Sequence, residues 1–260
     1  MQVPSRKDAA MDALMISAAS GMQARMQSLE TLANNIANSG TTGFKADREF
    51  YNLYVSPDAL NAAAEGGQPE ASTIPVVEKQ YTDFTQSLTF PTGNPLDVAI
   101  EGSGFFVARG SSGPLYTRNG NFRLSKDGQL QTEQGYAVED DQGRPIQLDP
   151  TQAVEITKDG VVRQQGQDIA QLGVVDFRDH AALAKRDGTY FVVADTGKGQ
   201  ATQVTSPSLE QGSLENSNVP AAEAAVRLVN VMRQFDMLQR AVTLGTQMDR
   251  SITDIGKTTS

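Results

Sequence analysis

The sequence contains no cysteine and no tryptophan, and its only histidine is His180. Without cysteine there can be no disulfide, no thiolate zinc site and no thiol nucleophile. With one histidine, any Ser/His/Asp triad has to run through His180. Basic residues are outnumbered, 22 Lys and Arg against 31 Asp and Glu, for a formal charge of −9. That balance argues against nucleic-acid binding, because phosphate neutralisation needs a basic face. No apolar run approaches the roughly 18–20 residues of a membrane span, so no membrane insertion is expected. Residues Met1 to Asp12 lack the apolar stretch and small-residue cleavage site of a secretory leader. A cytoplasmic protein, or one exported by a specialised route, remains.

What is present separates into three regions of an α+β fold. Near the N-terminus a stripe recurs at alternating spacings of four and three: Met15, Ala19, Met22, Met26, Leu29, Ala33 and Ile36. That is a heptad seam on one helix face. Gln23, Arg25, Gln27, Ser28 and Glu30, lying between its members, suit solvent or a polar neighbour. A helix from about Met11 to Ala37 would be roughly 40 Å long at ~1.5 Å per residue. It should end in the Asn- and Gly-rich run Asn34 to Gly43, since both residue types tolerate left-handed backbone.

The C-terminal region mirrors this pattern. Asn216-Ser217-Asn218-Val219-Pro220 reads as a helix start, with Ser217 or Asn218 as the cap and Glu223 favouring the positive end of the dipole. A stripe follows at Leu228, Val231, Phe235, Leu238, Val242, Gly245, Met248, Ile252 and Ile255, slipping phase after Gly245, where a bend is expected. The eight methionines fall in these two regions, with none between Gln27 and Val231. Flexible thioethers suit seams that adapt to several neighbours. Periodicity leaves open whether the two long helices pair with each other as a coiled coil or with neighbouring molecules.

The middle reads as all-β. Short apolar runs are punctuated by Asn119-Gly120, Asp127-Gly128, Asp159-Gly160 and Asp187-Gly188, residue pairs that supply the positive φ of tight turns. The strongest hairpin pattern runs through Leu115–Arg118, Asn121–Leu124 and Gln129–Thr132, followed by Val154–Ile156, Leu172–Phe177 and Tyr190–Val193. A Gly/Ala/Pro/Glu stretch, about Ser56 to Pro75, is poor in apolar residues. The expected organisation is a helix and following turn over 1–54, a mobile linker over 55–80, a central β domain over 81–215 and a C-terminal helix over 216–260.

Candidate chemistry is thin. Gly102-Ser103-Gly104 lacks the third glycine and following helix of a dinucleotide loop, and reads as a turn entering a strand. Glu139-Asp140-Asp141-Gln142-Gly143 lacks the ligand spacing of a calcium loop, and reads as a hairpin turn. Asp176, Asp179 and His180 could meet a metal, but without a second histidine a surface loop is the better reading. No catalytic, cofactor-binding or metal-binding residue is assigned.

Leu32-Ala33-Asn34-Asn35-Ile36-Ala37-Asn38-Ser39-Gly40-Thr41-Thr42-Gly43-Phe44-Lys45 resembles the N-terminal signature of the flagellar rod and hook proteins. The stretch from Asn94 to Val107 resembles the start of that family's β domain, and Tyr116-Thr117-Arg118-Asn119-Gly120-Asn121-Phe122 its next stretch. Glu215-Asn216-Ser217-Asn218-Val219 resembles the lead into its C-terminal helix. The motifs keep family order and span nearly the whole chain. The length and single β region are similar to rod rather than hook proteins, and Thr92-Gly93-Asn94-Pro95-Leu96-Asp97-Val98-Ala99 is similar to the proximal-rod type. Met232-Arg233-Gln234-Phe235-Asp236 departs from the Gln-Arg-Ala-Tyr-Glu run of the distal-rod and hook types, which leaves the proximal-rod type as the nearest resemblance. Residues Met1 to Ala10 precede the usual start, which resembles Met11-Asp12-Ala13-Leu14; they are either an extension or a product of the chosen start codon.

The resemblance implies a non-enzymatic subunit of the flagellar basal-body rod, a drive shaft in the periplasm. It implies export by the flagellar type III apparatus without a cleaved signal peptide, and helical stacking with itself and other rod proteins. Terminal helices would form an inner tube with the β domain facing outward, and no cofactor is implied. The residues expected to carry subunit contacts are Met15, Met22, Met26, Leu29 and Ile36 on the first helix and Leu228, Phe235, Leu238 and Val242 on the second. Asn34, Asn35, Asn38, Gly43 and Phe44 would shape the turn ending the first helix. The alternatives are a distal-rod or hook-type axial subunit and, in another class, a soluble β-domain binding module closed by an intramolecular coiled coil. An enzyme using His180 is the remaining one.

Overall fold

The computed structural model describes residues 6–55, 73–194 and 199–258. Contacts divide the chain into two units: Met1–Ile36, Asp47–Tyr81 and Ala221–Ser260 form one, Ala37–Ala46 and Thr82–Pro220 the other.

The first unit holds helix α1 (Arg6–Ala37), helix α2 (Ala221–Thr258) and a two-stranded sheet of β1 (Asp47–Val55) and β2 (Thr73–Thr82). Residues 47–54 were expected in a turn and 73–80 in a mobile linker; both are paired strand. Residues 56–72, the rest of that expected linker, lie outside the described residues.

The most covered face of α1 carries Gly21, Ala24, Ser28, Thr31 and Asn35. These keep the heptad spacing but lie one residue (Gly21, Ser28, Asn35) or two residues (Ala24, Thr31) before the members of the expected apolar stripe. Met22, Leu29 and Ile36 of that stripe are half-buried, whereas Ala19, Met26 and Ala33 are exposed. Hydrogen bonds explain the displacement, because buried polar groups are tolerated where they are paired. Ser28 Oγ donates to Glu49 Oε2 at 2.8 Å, Gln80 Nε2 donates to Thr31 Oγ1 at 2.9 Å, and Asn35 bonds Asp47. The polar stripe is thus the one that seats α1 on β1 and β2.

On α2 the expected stripe is the better covered one. Leu228, Val231, Phe235, Leu238, Val242 and Gly245 are half-buried, while Val226, Val229, Met232, Met237 and Leu244 are exposed. The side chain of Leu238 lies 3.6 Å from where a Cβ on Gly21 would stand, an ordinary contact distance that a methyl there would fill. The helix begins at Ala221, after Pro220, so neither Ser217 nor Asn218 is its cap. Its hydrogen-bonded run continues through Gly245. Met15 lies on α1, and Met248, Ile252 and Ile255 on α2, outside the residues whose side chains are described.

The second unit is antiparallel β. Its largest sheet runs β14-β15-β6-β5-β9-β8-β7, with β13 bridging β5 to β16. These strands are β5 (Phe105–Gly110), β6 (Gly113–Thr117), β7 (Phe122–Leu124), β8 (Leu130–Thr132), β9 (Ala137–Val138), β13 (Val174–Phe177), β14 (Leu183–Asp187), β15 (Tyr190–Val193) and β16 (Ala201–Gln203). A three-stranded sheet holds β10 (Glu155–Ile156), β11 (Val161–Gln164) and β12 (Gln167–Gln171). Two further pairs join β17 (Ser208–Gln211) to β4 (Val98–Glu101) and β18 (Ser213–Glu215) to β3 (Thr89–Pro91).

Strand β5 is buried on both faces, which accounts for its uninterrupted apolar run. Phe106 enters a core with Val98, Ile100, Phe122, Leu130 and Leu172, while Phe105 and Val107 enter a second core with Tyr116, Phe177 and Phe191. Asp127-Gly128, Asp159-Gly160 and Asp187-Gly188 connect consecutive antiparallel strands, with positive φ at each glycine. Asn119-Gly120 does not: β6 pairs with β5 and β15, and β7 with β8, so the expected first hairpin is absent. Gly120 is required for a different reason. A Cβ there would stand 1.7 Å from the Val98 carbonyl oxygen, where the two backbones meet in a Val98 N to Gly120 O bond of 3.1 Å.

Candidate functional site

Three sequence motifs converge on one carboxylate in the β unit. Lys45 Nζ donates to Glu215 Oε1 at 2.7 Å and to the Thr85 carbonyl at 2.8 Å. Ser87 N–H donates to the same Glu215 oxygen at 2.9 Å. Arg118 Nη1 reaches Glu215 Oε2 at 3.4 Å, while its Nη2 donates to the Gly102 carbonyl at 2.8 Å. The Arg118 guanidinium also stacks 5.3 Å from the centre of the Phe105 ring, a cation–π contact.

All three charged side chains are buried, so two cations share one anion out of water. Burial pushes the pKa of Lys45 and of Arg118 below the ordinary value, and Glu215 pulls each part of the way back. A buried group of this kind fixes geometry more than it adds stability, because desolvation offsets much of the Coulombic attraction. From sequence these residues belonged to motifs without a role of their own. Their only signal was a charge set among glycine and aromatic residues: Lys45 after Gly43-Phe44, and Arg118 before Asn119-Gly120.

The residues expected to shape the turn after α1 fall into distinct tasks. Asn35 grips the backbone of Asp47 with both ends of its amide, Nδ2 to O at 2.8 Å and N to Oδ1 at 3.0 Å. Asn38 accepts from Thr41, backbone to backbone at 3.1 Å and hydroxyl to Oδ1 at 3.3 Å. Gly43 has φ +67 and donates its N–H to the Glu215 carbonyl at 2.8 Å. A Cβ at Gly43 would stand 2.4 Å from Asn119 N, so this position is closed to other residues. Phe44 is fully buried beneath Lys185 Nζ, 4.2 Å from its ring centre. Asn34 is exposed.

The motifs weighed for chemistry resolve into turns. Gly102 and Gly104 both have positive φ between β4 and β5. Asp140 closes its hairpin turn by accepting from Gln142 N, Arg144 N and Arg144 Nε. Burial opposes ionisation of Asp140, but those donors outweigh it and hold the carboxyl below its usual range. Asp179 caps a 3₁₀ turn, His180–Ala182. His180 Nε2 lies 3.0 Å from Asp176 Oδ1, and its ring packs on Phe84 and Phe105. Burial works against the Asp176 carboxylate, yet bonds from His180, Phe177 N and Ser103 hold its pKa down. Ser103 thus bonds the aspartate rather than the imidazole, which is not the order of a nucleophilic triad. Among the described residues no group of His, Asp and Glu is arranged to hold a metal ion, and no helix is long and apolar enough to cross a membrane.

The chain thus combines two long terminal helices with a β unit whose ends are tied by a buried charge cluster. Family models match the chain in three places. The flagella basal body rod protein model matches residues 15–45, the flagellar hook protein FlgE/F/G D1 domain 99–164, and the flagellar basal body rod FlgEFG protein C-terminal model 210–255.

Relatives that match over most of the chain carry narrower names. Flagellar basal-body rod protein FlgF of Caulobacter vibrioides is 31% identical, covering 88% of this chain and 92% of its own. Flagellar basal-body rod protein FlgG of Agrobacterium fabrum is 33% identical, covering 89% and 94%. FlgG of Bacillus subtilis is 31% identical, covering 93% and 98%. The chain belongs to the flagellar basal-body rod protein family, whose members are structural subunits of the rod.

Proposed function

We propose that this chain is a proximal-type rod subunit that polymerises helically through α1 and α2 into the torque-transmitting shaft. The carrying observation is the apolar surface that α2 leaves open. Val226, Met237 and Leu244 are each about 60% exposed, and at 100° per residue they lie within about 20° of one another, opposite the covered stripe. Exposed apolar side chains opposite the covered stripe, set among Asn230, Arg233 and Arg240, suit contact with a neighbour in a larger assembly. Burying each such side chain against a neighbour contributes up to ~1.5–3 kcal/mol.

In this reading Met15, Met22, Met26, Leu29 and Ile36 on α1 and Leu228, Phe235, Leu238 and Val242 on α2 line the helical seams. The partners are other copies and other rod proteins, reached by export through the flagellar type III apparatus into the periplasm without a cleaved signal peptide. Terminal helices form the inner tube and the β unit faces outward. Identity to FlgF and FlgG relatives is similar, so the proximal type rests on Thr92–Ala99, which resembles that type, and on Met232–Asp236, which departs from the distal-type run.

Replacing Val226 or Leu244 by Asp tests the reading, since each is exposed in the single chain and an unpaired charge in a seam buried on assembly is costly. Either variant should be produced with its β unit folded, be absent from isolated basal bodies and leave cells non-motile. Normal rods and normal motility would contradict the packing assignment.

A further inference from the structure

Asn218 was one of two candidate caps of α2, with Ser217, and it does something else. The chain leaves the β unit after Ala46, re-enters it at Thr82 and leaves again after Pro220. One carboxamide bonds all three crossings. Asn218 Oδ1 accepts from Ala46 N at 2.7 Å, and Nδ2 donates to the Asp83 carbonyl at 2.7 Å and the Thr85 carbonyl at 3.2 Å. Its backbone N–H donates to the Phe44 carbonyl at 3.3 Å, and Asp83 N–H donates to the Ala46 carbonyl at 2.8 Å.

Below Asn218 the same three segments are tied again. Lys45 holds Glu215 and Thr85, Ser87 Oγ donates to the Ser217 carbonyl at 3.0 Å, and Asn216 N donates to the Leu88 carbonyl at 2.9 Å. The segments 43–46, 83–88 and 215–218 therefore form a cross-bonded neck held largely by side chains. Of these side chains Asn218 is the one nearest the exits, and it uses its donor and its acceptor on different segments.

We propose that Asn218 is a positioning residue for force transmission. It clasps the three crossings so that they move as one body, and torque reaching the β unit passes through the neck without independent motion of each strand. Without the amide the crossings keep only the backbone bonds Asp83 N to Ala46 O and Asn218 N to Phe44 O at this level and flex more under load, while the β core below them is untouched. This rests on the reading of the chain as a rod subunit. It adds a named residue whose task is stiffness rather than assembly.

The test uses Asn218→Ala, with Asn218→Asp as a second variant that keeps the acceptor for Ala46 but sets a carboxylate against two carbonyls. In purified full-length Asn218→Ala, the Ala46 amide should exchange with solvent about tenfold faster, while Phe106 and Val107 in the core keep wild-type protection. In cells, both variants should enter rods and swim normally in thin medium, yet lose speed far more steeply than wild type as viscosity rises. Unchanged protection at Ala46 overturns the clasp itself. Released Ala46 with wild-type swimming at high viscosity overturns its role in transmission, as does steeper loss for only one variant. Absence of the wild-type chain from basal bodies would instead overturn the rod reading, and leaves the exchange result standing.

Discussion

Lys45 Nζ lies 2.7 Å from Glu215 Oε1 with neither side chain exposed, although 170 positions separate them in sequence. The residues belong to the motifs that follow α1 and precede α2, so the pair ties the two ends of the β unit together. Arg118, from a third motif, approaches the other carboxylate oxygen at 3.4 Å.

Glu215 is therefore the side chain whose loss should be most costly in the junction. Glu215→Ala leaves two buried cations without their anion and should destabilise the protein by about 3–5 kcal/mol. Lys45→Met should cost clearly less, since Arg118 still pairs with Glu215 and the new side chain fills similar space. Urea unfolding of the three proteins compares them. Equal costs for both substitutions would contradict a junction organised around Glu215.

Two glycines of opposite character test the packing. Gly120→Ala puts a methyl 1.7 Å from the Val98 carbonyl oxygen and 3.0 Å from the Phe106 ring. The sheet has to open to admit it, which should cost at least about 3 kcal/mol. Gly21→Ala places its methyl in ordinary contact with Leu238, 3.6 Å away. That change should gain about 1 kcal/mol through helix propensity. Unfolding midpoints should move in opposite directions for the two variants.

Much of the fold could be read from the sequence: two long helices, a β middle and three of the four expected turn glycines. What escaped did so for physical reasons. Strands β1 and β2 flank the Gly/Ala/Pro/Glu stretch, and their pairing joins segments that composition separates. Strand β12, Gln167–Gln171, is mostly exposed and polar, so it carries no apolar alternation to detect. Asn119-Gly120 looked like a hairpin turn because glycine marks both positive φ and close backbone approach, and sequence does not distinguish the two. The covered face of α1 was displaced by one to two residues because Ser28, Thr31 and Asn35 are buried through hydrogen bonds, which an apolar periodicity does not register. The junction was present as motif letters, but that Lys45, Arg118 and Glu215 meet is a tertiary fact.

Tyr190 gives the β unit a pH signature. Burial, the leading cause, and nearby Tyr136, Glu133 and Asp187 push its hydroxyl up to about 12, with a bond to Thr132 opposing. In the unfolded chain the group ionises near the ordinary tyrosine value of 10.0. The folded state therefore holds the proton that the unfolded state releases between those values, and stability falls with rising pH across that window. A rise of this size corresponds to about 2–3 kcal/mol lost by the upper end. The difference between wild type and Tyr190→Phe in urea unfolding at increasing alkaline pH isolates the effect. A constant difference across the window would contradict it.

The central claim is that the apolar face of α2 left open in the single chain is covered in the rod. The absence of cysteine makes a clean probe possible, because an introduced thiol is the only one. Met237, 62% exposed, reports on that face, and Gln142, on an exposed turn of the β unit, serves as reference. Maleimide labelling of Met237→Cys and Gln142→Cys is compared between the purified free subunit and intact basal bodies. The account predicts that both thiols react in the free subunit, and that in basal bodies Met237→Cys is protected at least about tenfold while Gln142→Cys still reacts. Equal labelling of Met237→Cys in the two states would contradict it.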